Sequence, residues 1–259
     1  MKIIQTKVKE ILTRTKLPGA DWVINPYIGC GHNCNYCYAR FIARWKKHGK
    51  WGSWIETKIN APELLKNRKI KGEVFMSSIC DAWQPIEKKL KLTRKILENL
   101  DKNTKLSILT KSDLILRDLD LLKKFKNLEV GMTINSFEGK TKKFFEPDSP
   151  SNQARIQALK ILHKNGISTY AFISPIMPGL IDVKKIFQET KEFVDFYWLE
   201  LINLRGAGLK FNNFLQKTYP KSLKILKNKT LFKEFIQEIK AAISKNGVKI
   251  KNIEIHKNL

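Results

Sequence analysis

The chain has 259 residues and a formal net charge of +25, with 41 lysines and 8 arginines against 24 acidic residues. This length suits one α/β domain with a core large enough to fold alone, and no apolar run approaches the ~20 residues of a membrane span, so we expect no membrane segment. The scattered lysines are compatible either with a nucleic-acid partner or with a solvated surface.

Short apolar runs rich in β-branched and aromatic residues alternate with segments of helical periodicity. The runs predict six strands, at residues 22–26, 73–77, 105–110, 128–134, 168–174 and 196–201. Apolar spacing predicts helices over residues 85–100, 114–125, 152–164 and 183–194. Such alternation implies parallel pairing with right-handed crossovers, which leaves an open doubly wound sheet or a (β/α) barrel, complete or partial.

The last fifth of the chain is lysine-rich and mostly helical, with a helix predicted over residues 231–245 and a short strand over residues 248–255. We therefore expect a core over residues 1–205 and an extension over residues 206–259 packed on the same domain. The first residues show no signal-peptide pattern, which favours a cytoplasmic protein with reduced thiols.

Three of the four cysteines follow the first predicted strand. Cys30, Cys34 and Cys37 have the spacing C-x3-C-x2-C. Cysteine thiolates are the standard ligands of a [4Fe–4S] cluster, and three of them can hold three of its irons. Because the loop lacks a fourth cysteine, one iron would remain open to a small molecule, which implies chemistry rather than electron transfer alone.

Two other interpretations of this loop stay open. A tetrahedral zinc site needs four ligands, so His32, His48 or Cys80 would have to be recruited singly. The chain would then be a zinc-stabilised nucleic-acid-binding module without catalysis. Alternatively, the thiols are inert.

In a parallel barrel the site is built from the loops that follow the carboxyl ends of the strands. Besides the cysteine loop, polar residues follow the predicted strands at residues 77–84, 111–112, 133–136, 174–179 and 200–205. The sequence therefore predicts that these segments meet at one rim.

An aromatic residue, Tyr36, directly precedes the last cysteine of the loop. With the flanking residues the loop reads NPYIGCGHNCNYCYAR, and it is followed in order by SSICDAWQP, LTKSDLILRDLDLL, TINSFE, FEPDSPSNQARIQALKILHKNGI and ISPIMPG. The C-x3-C-x-aromatic-C motif resembles the radical SAM superfamily. The six segments, which span residue 25 to about residue 180, are similar to its spore photoproduct lyase-like branch.

The resemblance implies a partial (β/α)6 TIM-type barrel of the radical SAM kind, with a short C-terminal helical and strand extension. S-adenosylmethionine (SAM) would bind the open iron of the cluster. An electron would then cleave it to methionine and a 5′-deoxyadenosyl radical that abstracts hydrogen from a substrate. The resemblance also implies an external electron donor of the flavodoxin or ferredoxin type. The reaction would be lyase-like, on nucleic acid or on a peptide or small molecule.

Carried over position by position, the resemblance assigns the cluster to the three loop cysteines. The backbone at Tyr36 would face the adenine, and Lys111 would reach the methionine carboxylate. Further contacts to SAM are implied at the methionine end for Ser77, Ser78 and Asp81, near the ribose for Thr133, Asn135 and Ser136, and by the adenine or ribose for Ser174.

Cys80 lies in the loop after the second predicted strand, where the lyase carries a cysteine that donates a hydrogen atom. In this sequence that position aligns with Ser78, and Cys80 follows two residues later. We take Cys80 as the candidate catalytic thiol, with a buried structural cysteine as the alternative. Glu146 and Arg155 are expected to form a structural ion pair behind the barrel mouth.

Overall fold

The computed structural model describes residues 1–256, and residues 257–259 of the expected extension lie outside the described part. Within it the strands are β1 (Lys2–Thr6), β2 (Leu12–Arg14), β3 (Trp22–Ile24), β4 (Tyr27–Ile28), β5 (Trp54–Lys58), β6 (Glu73–Met76), β7 (Lys105–Thr110), β8 (Asn127–Ile134), β9 (Ser168–Ile176), β10 (Phe196–Leu201) and β11 (Ile250–Glu254).

The α-helices of the same region are α1 (Ile42–Lys46), α2 (Glu87–Leu90), α3 (Leu92–Asn99), α4 (Leu119–Leu122), α5 (Gly139–Phe145), α6 (Asn152–Lys164), α7 (Val183–Thr190), α8 (Leu204–Ala207), α9 (Leu209–Thr218), α10 (Pro220–Lys227) and α11 (Lys229–Asn246). Short 3₁₀ helices cover Tyr38–Phe41, Glu63–Leu65 and Asp113–Asp118. None of the described helices combines the length and apolar character that crossing a bilayer requires.

The main sheet confirms the partial barrel. Its strand order is β2-β3-β6-β7-β8-β9-β10-β11, and all pairings from β3 to β11 are parallel, while β2 pairs antiparallel with β3. The six strands that the alternating pattern predicted thus lie side by side in chain order as β3, β6, β7, β8, β9 and β10, and β11 adds a seventh parallel strand. Among the described residues the sheet does not close, because β2 and β11 are its two edges.

Two predicted helices are divided in the structure. Residues 85–100 form α2 and α3, separated by Lys91 with a left-handed φ of 51°. The buried carboxylate of Glu87 accepts a hydrogen bond from the backbone N–H of Thr93 (3.1 Å) and forms an ion pair with Arg117 (3.0 Å). Residues 114–125 form a 3₁₀ helix followed by α4. In the first of these segments, the hydrogen bond and the ion pair of Glu87 therefore accompany a break in the helix that apolar spacing predicts.

A second sheet, with the order β1-β5-β4, was not predicted from the sequence. Its strand β5 carries Glu56, a buried carboxylate that is bonded to Lys46 (2.9 Å) and to His48 (2.7 Å). The pKa of Glu56 is lowered, because these two side chains outweigh the opposing effect of burial. This carboxylate attaches α1 and the residues after it to the second sheet.

Arg155 of α6 and Glu146, which follows α5, form a buried ion pair that confirms the sequence prediction. Arg155 Nη1 also donates to the carbonyl oxygen of Thr133 near the end of β8 (3.1 Å), and its Nε donates to that of Pro150 (3.1 Å). Burial alone would raise the pKa of Glu146, but the charges of Arg155 and Lys111 lower it to about 2. The pair thus joins α6 to the carboxyl end of a central strand.

Gly131 in β8 allows the ring of Tyr170 from β9 to lie directly on the strand, because a Cβ at this position would overlap that ring. The Tyr170 hydroxyl donates to the carbonyl oxygen of Ile108 in β7 (2.9 Å). One aromatic side chain therefore spans three neighbouring strands.

We predict that Gly131→Ala lowers the free energy of unfolding by about 1–3 kcal/mol, because overpacking displaces the Tyr170 ring. Urea denaturation of the two proteins measures this difference. In a Tyr170→Leu background the same substitution should lower the free energy of unfolding by less, since the overlapping ring is absent. An equal cost in both backgrounds would show that the overlap is not the cause.

We predict that Glu146→Gln destabilises the fold by about 3–5 kcal/mol at neutral pH, because it leaves the Arg155 guanidinium buried and unpaired. Since the pKa of Glu146 is depressed on folding, its stabilisation is full above the ordinary value of 4.5 and is lost as the pH falls toward about 2. The free energy of unfolding, measured between pH 6 and pH 2, should therefore fall less steeply with decreasing pH in the variant than in the wild type. Identical pH profiles would contradict this assignment.

Candidate active site

The cysteine loop lies between β4 and the 3₁₀ helix Tyr38–Phe41 and is shaped by tight turns. The backbone N–H of Asn33 donates to the carbonyl oxygen of Cys30 (3.3 Å), and that of Cys37 donates to Cys34 (3.2 Å). Gly29 precedes the loop with φ of 93°, and a Cβ there would lie 2.6 Å from a backbone oxygen of β5. The loop therefore starts from a point where only glycine fits.

All three loop cysteines are free thiols. Burial raises the pKa of each of them, that of Cys34 to about 12, and the charges of Lys111 and Arg155 oppose this effect at Cys34. Without a metal the thiols are therefore neutral, and metal binding would release protons.

Within residues 1–256 no group of three His, Cys, Asp or Glu side chains converges in the way that one metal ion needs. A zinc ion demands such convergence, because its ligands all lie within about 2.1–2.3 Å of one centre. In a cubane cluster each cysteine binds a different iron, so the three sulfur atoms surround a larger group and do not share one metal ion. The donor set of three thiols and no fourth partner fits the cluster.

Contacts to the loop after β6 and to the end of α5 and the residues after it hold the cysteine loop in place. Gly31 N–H donates to Gln84 Oε1 (2.7 Å), and Asn35 N–H donates to the carbonyl oxygen of Phe145 (2.9 Å). The buried His32 ring places Nδ1 3.2 Å from the Asp148 carbonyl oxygen and Nε2 3.2 Å from Asp81 Oδ2. The loop is thus attached on both sides.

Lys111 follows β7 directly and extends toward the cysteine loop. Its Nζ lies 3.4 Å from Thr133 Oγ1 and 5.9 Å from the centre of the Tyr36 ring. Burial alone would lower the pKa of Lys111, but the thiolate form of Cys34 and the carboxylate of Glu146 raise it, so the amine is protonated. The structure therefore brings together four residues that the sequence predicted for one site, Cys34, Tyr36, Lys111 and Thr133.

Asp81 is buried and fixes the start of the Lys111 segment. Its carboxylate accepts hydrogen bonds from Lys111 N–H (2.7 Å), Thr110 Oγ1 (2.7 Å) and Trp83 N–H (2.9 Å). Burial would raise the pKa of Asp81, but His32 and these donors lower it to about 2. The carboxylate is thus used inside the protein, as a support for neighbouring loops.

The loop after β6 is held by Asn25, a residue that the sequence analysis did not identify. Asn25 Nδ2 donates to Ser78 Oγ (2.9 Å), while its Oδ1 accepts from Ile79 N–H (3.0 Å) and from the Cys80 thiol (3.7 Å). Ser77, with a left-handed φ of 82°, accepts from Ala82 N–H through its hydroxyl (3.0 Å). Burial raises the pKa of Cys80 to about 12.

Three predicted residues near the end of β8 have different surroundings. Thr133 faces Lys111, as described above. Asn135 binds Glu146 (3.0 Å), Asn152 (3.0 Å) and the Phe137 N–H (3.2 Å). Ser136 donates to the carbonyl oxygen of Leu180 (3.1 Å), which joins it to the loop after β9. The side-chain amide of Asn135 therefore forms its hydrogen bonds with other groups of the protein.

Ser174, near the end of β9, donates to Glu200 Oε2 (2.7 Å), and Glu200 Oε1 lies 2.9 Å from His256 Nε2. The hydrogen bond to Glu200 raises the pKa of His256 above its ordinary value. The sequence analysis marked residues 200–205 as a rim segment but did not single out Glu200. A carboxylate between apolar residues at the end of a predicted strand is the sequence feature that could have identified Glu200.

The profile of the Radical SAM superfamily matches residues 24–194 of this chain. This range includes the cysteine loop and four of the six central strands, β6, β7, β8 and β9. The chain is 56% identical to an uncharacterised protein of Methanocaldococcus jannaschii over 99% of its own length and 98% of that protein. It is 29% identical to an uncharacterised protein of Acidianus two-tailed virus, with 76% and 67% covered.

Solved structures of spore photoproduct lyase have a similar fold. A variant with bound AdoMet and dinucleoside spore photoproduct superposes with a TM-score of 0.69 at 16% identity, over 98% of this chain and 82% of the lyase. The lyase complexed with dinucleoside spore photoproduct gives the same score at 17% identity and the same coverage. The matched profile, the cysteine loop at the rim and the partial barrel lead to one conclusion, that this chain belongs to the radical SAM superfamily.

Proposed function

We propose that this protein is a radical SAM enzyme whose Cys30, Cys34 and Cys37 bind a [4Fe–4S] cluster with one iron open to SAM. When bound, the cluster supplies the electron that cleaves SAM into methionine and a 5′-deoxyadenosyl radical, which abstracts hydrogen from a substrate. The observation that carries the proposal is the position of three free thiols at the carboxyl rim of parallel strands, beside the protonated Lys111.

Lys111 is the residue we assign to the methionine carboxylate of SAM. It is half-buried and protonated, and it has a hydroxyl, that of Thr133, within 3.4 Å. Asp81 binds the backbone of Lys111 and so positions it, while Asn135 holds Glu146, which bonds the hydroxyl of Tyr36. We propose that Asp81 and Asn135 act on SAM through these neighbours.

The remaining assignments surround this centre. The backbone at Tyr36 faces the adenine, and the other contacts to SAM come from the hydroxyl-bearing strand ends at Ser77, Ser78, Thr133, Ser136 and Ser174. Cys80 is the proposed hydrogen donor to the substrate radical, because it follows β6 at the same rim, next to Asp81. The core over residues 1–205 would hold this machinery, and an external flavodoxin- or ferredoxin-type protein would deliver the electron.

For the substrate we propose nucleic acid, with a lyase-like repair or modification reaction. The net charge of +25 supports a polyanionic partner. The lyase structures with the same fold contain a dinucleoside photoproduct.

We predict that replacing any one of Cys30, Cys34 and Cys37 by Ala abolishes the iron–sulfur chromophore and SAM cleavage, because no other thiol in the loop can replace the lost ligand. Iron and sulfide analysis after anaerobic reconstitution should give about four of each per wild-type chain. Cys80→Ala is the matched control and should keep its iron. One zinc per chain, or full iron in the triple variant, would refute the cluster.

We predict that Lys111→Met weakens SAM binding roughly ten- to a hundredfold while the cluster stays intact, because a charge-assisted hydrogen bond of about 1.5–3 kcal/mol is lost. Anaerobic equilibrium dialysis of labelled SAM measures the affinity, and absorbance reports the cluster. The exposed Lys123, changed to Met, is the control and should bind SAM normally. Unchanged affinity in Lys111→Met would exclude the carboxylate contact.

A further inference from the structure

A cleft of about 650 Å³ opens beside the cysteine loop, between the segment Tyr38–Arg44, which Trp45 directly follows, and the helices α8 and α9. A second cleft of about 340 Å³ adjoins it, and both are lined by Arg40 and Lys210. Tyr38, which directly follows Cys37, lines the first cleft, and Asn33 and Asn35 of the cysteine loop line the second. Both clefts therefore lie beside the loop where SAM is proposed to bind.

Within residues 1–256 the cations of this cleft have no acidic partners. Arg44 and Arg205 are exposed, and among the described residues neither pairs with a carboxylate. The guanidinium of Arg40 donates to Asn35, to its backbone oxygen (2.8 Å) and to its side-chain oxygen (3.0 Å). Neither cleft is lined by Asp or Glu. Elsewhere, carboxylates pair with the guanidinium groups of Arg68, Arg94, Arg117 and Arg155.

Exposed aromatic side chains accompany these arginines. Among the described residues the exposed aromatics are Tyr38, Phe41 and Trp45, at 47%, 49% and 78% of their full surface. All three lie in the eight residues after Cys37. Aromatic faces next to unpaired arginines form the combination that stacks bases and neutralises phosphates in single-stranded nucleic acid.

The cleft is fixed relative to the cysteine loop. The Tyr38 hydroxyl donates to the carbonyl oxygen of Ser78, and Gly206 of α8 approaches Tyr38 so closely that a Cβ there would lie 3.2 Å from the tyrosine Cβ. Asn203 caps α8 through the N–H of Gly206 (2.7 Å). Both walls of the cleft therefore have a fixed position at the rim. Charged side chains that interacted only with water would not need such a fixed position.

We propose that this cleft binds a single strand of nucleic acid, with Arg40, Arg44, Arg205 and Lys210 on the phosphates and Phe41 and Trp45 stacked on unpaired bases. The proposal rests on the proposed function, since it names where the substrate of that site is held. A concave, arginine-lined cleft fits a strand of phosphodiesters better than it fits a flat lipid surface. The arginines and exposed aromatic side chains also distinguish this cleft from the rest of the surface, where lysines are scattered.

The test uses the full chain with its cluster reconstituted and a fluorescein-labelled oligothymidylate, followed by anisotropy over a range of salt concentrations. Arg44→Gln/Arg205→Gln should weaken binding at least about tenfold and reduce the salt slope by roughly 1.4, because each phosphate contact to a single strand contributes about 0.7. Phe41→Ala or Trp45→Ala should weaken binding about five- to a hundredfold through lost stacking, with the salt slope unchanged.

The matched control is Lys124→Gln/Lys164→Gln, which removes two charges at the opposite rim, after α4 and at the end of α6. Its affinity should stay within about twofold of the wild type, and an equal loss in both double variants would overturn the cleft. An oligouridylate of equal length tells RNA from DNA, and duplex DNA should bind more weakly. Duplex binding without any effect of Phe41 or Trp45, or binding to phosphatidylserine vesicles alone, would also overturn it.

The same preparations separate this inference from the proposed function. Wild-type protein that binds the oligonucleotide but yields no 5′-deoxyadenosine from SAM and dithionite would retain the cleft and refute the radical chemistry. Wild-type protein that cleaves SAM but binds no oligonucleotide would refute the cleft and retain the radical chemistry.

Discussion

The ion pair between Arg155 and Glu146 is the contact on which the rest of the rim depends. The carboxylate bonds the hydroxyl of Tyr36 in the cysteine loop and the amide of Asn135, and the guanidinium bonds the backbone of Thr133. Buried ion pairs add little net stability, because desolvation offsets their attraction. They do have strict geometric requirements, so this one fixes the loop, β8 and α6 in a single arrangement.

The same pair contributes to the charge balance around the thiols. Burial disfavours a thiolate at each loop cysteine, and at Cys34 the charge of Lys111 opposes this effect. The two members of the ion pair act there in opposite directions, because Glu146 raises the pKa of Cys34 and Arg155 lowers it. Lys111 is held at that position by Asp81, which itself is kept ionised by His32 and several donors. Lys111 therefore places a positive charge close to Cys34, where a deprotonated ligand would form.

The sequence was sufficient for features that depend on local spacing. The six central strands, the cysteine loop and even the partnership of Glu146 with Arg155 could be predicted from periodicity and motifs. The second sheet could not, because β1 pairs with β5 some fifty residues later and neither strand is marked locally. The hydrogen bonds of Asp81 and Asn135 to other protein groups depend on packing. Arg44 and Arg205 line one cleft because Gly206 packs against Tyr38, two residues that are far apart in the sequence.

The open sheet has a consequence for the shape of what it can accept. Because β2 and β11 remain separate edges, the described strands do not encircle their carboxyl rim. Between these two edges the rim is bounded by contacts of loops and helices, such as that of Gly206 in α8 with Tyr38, and not by strand pairing. The width of the mouth therefore depends on those contacts and can change without any shift in the register of the strands.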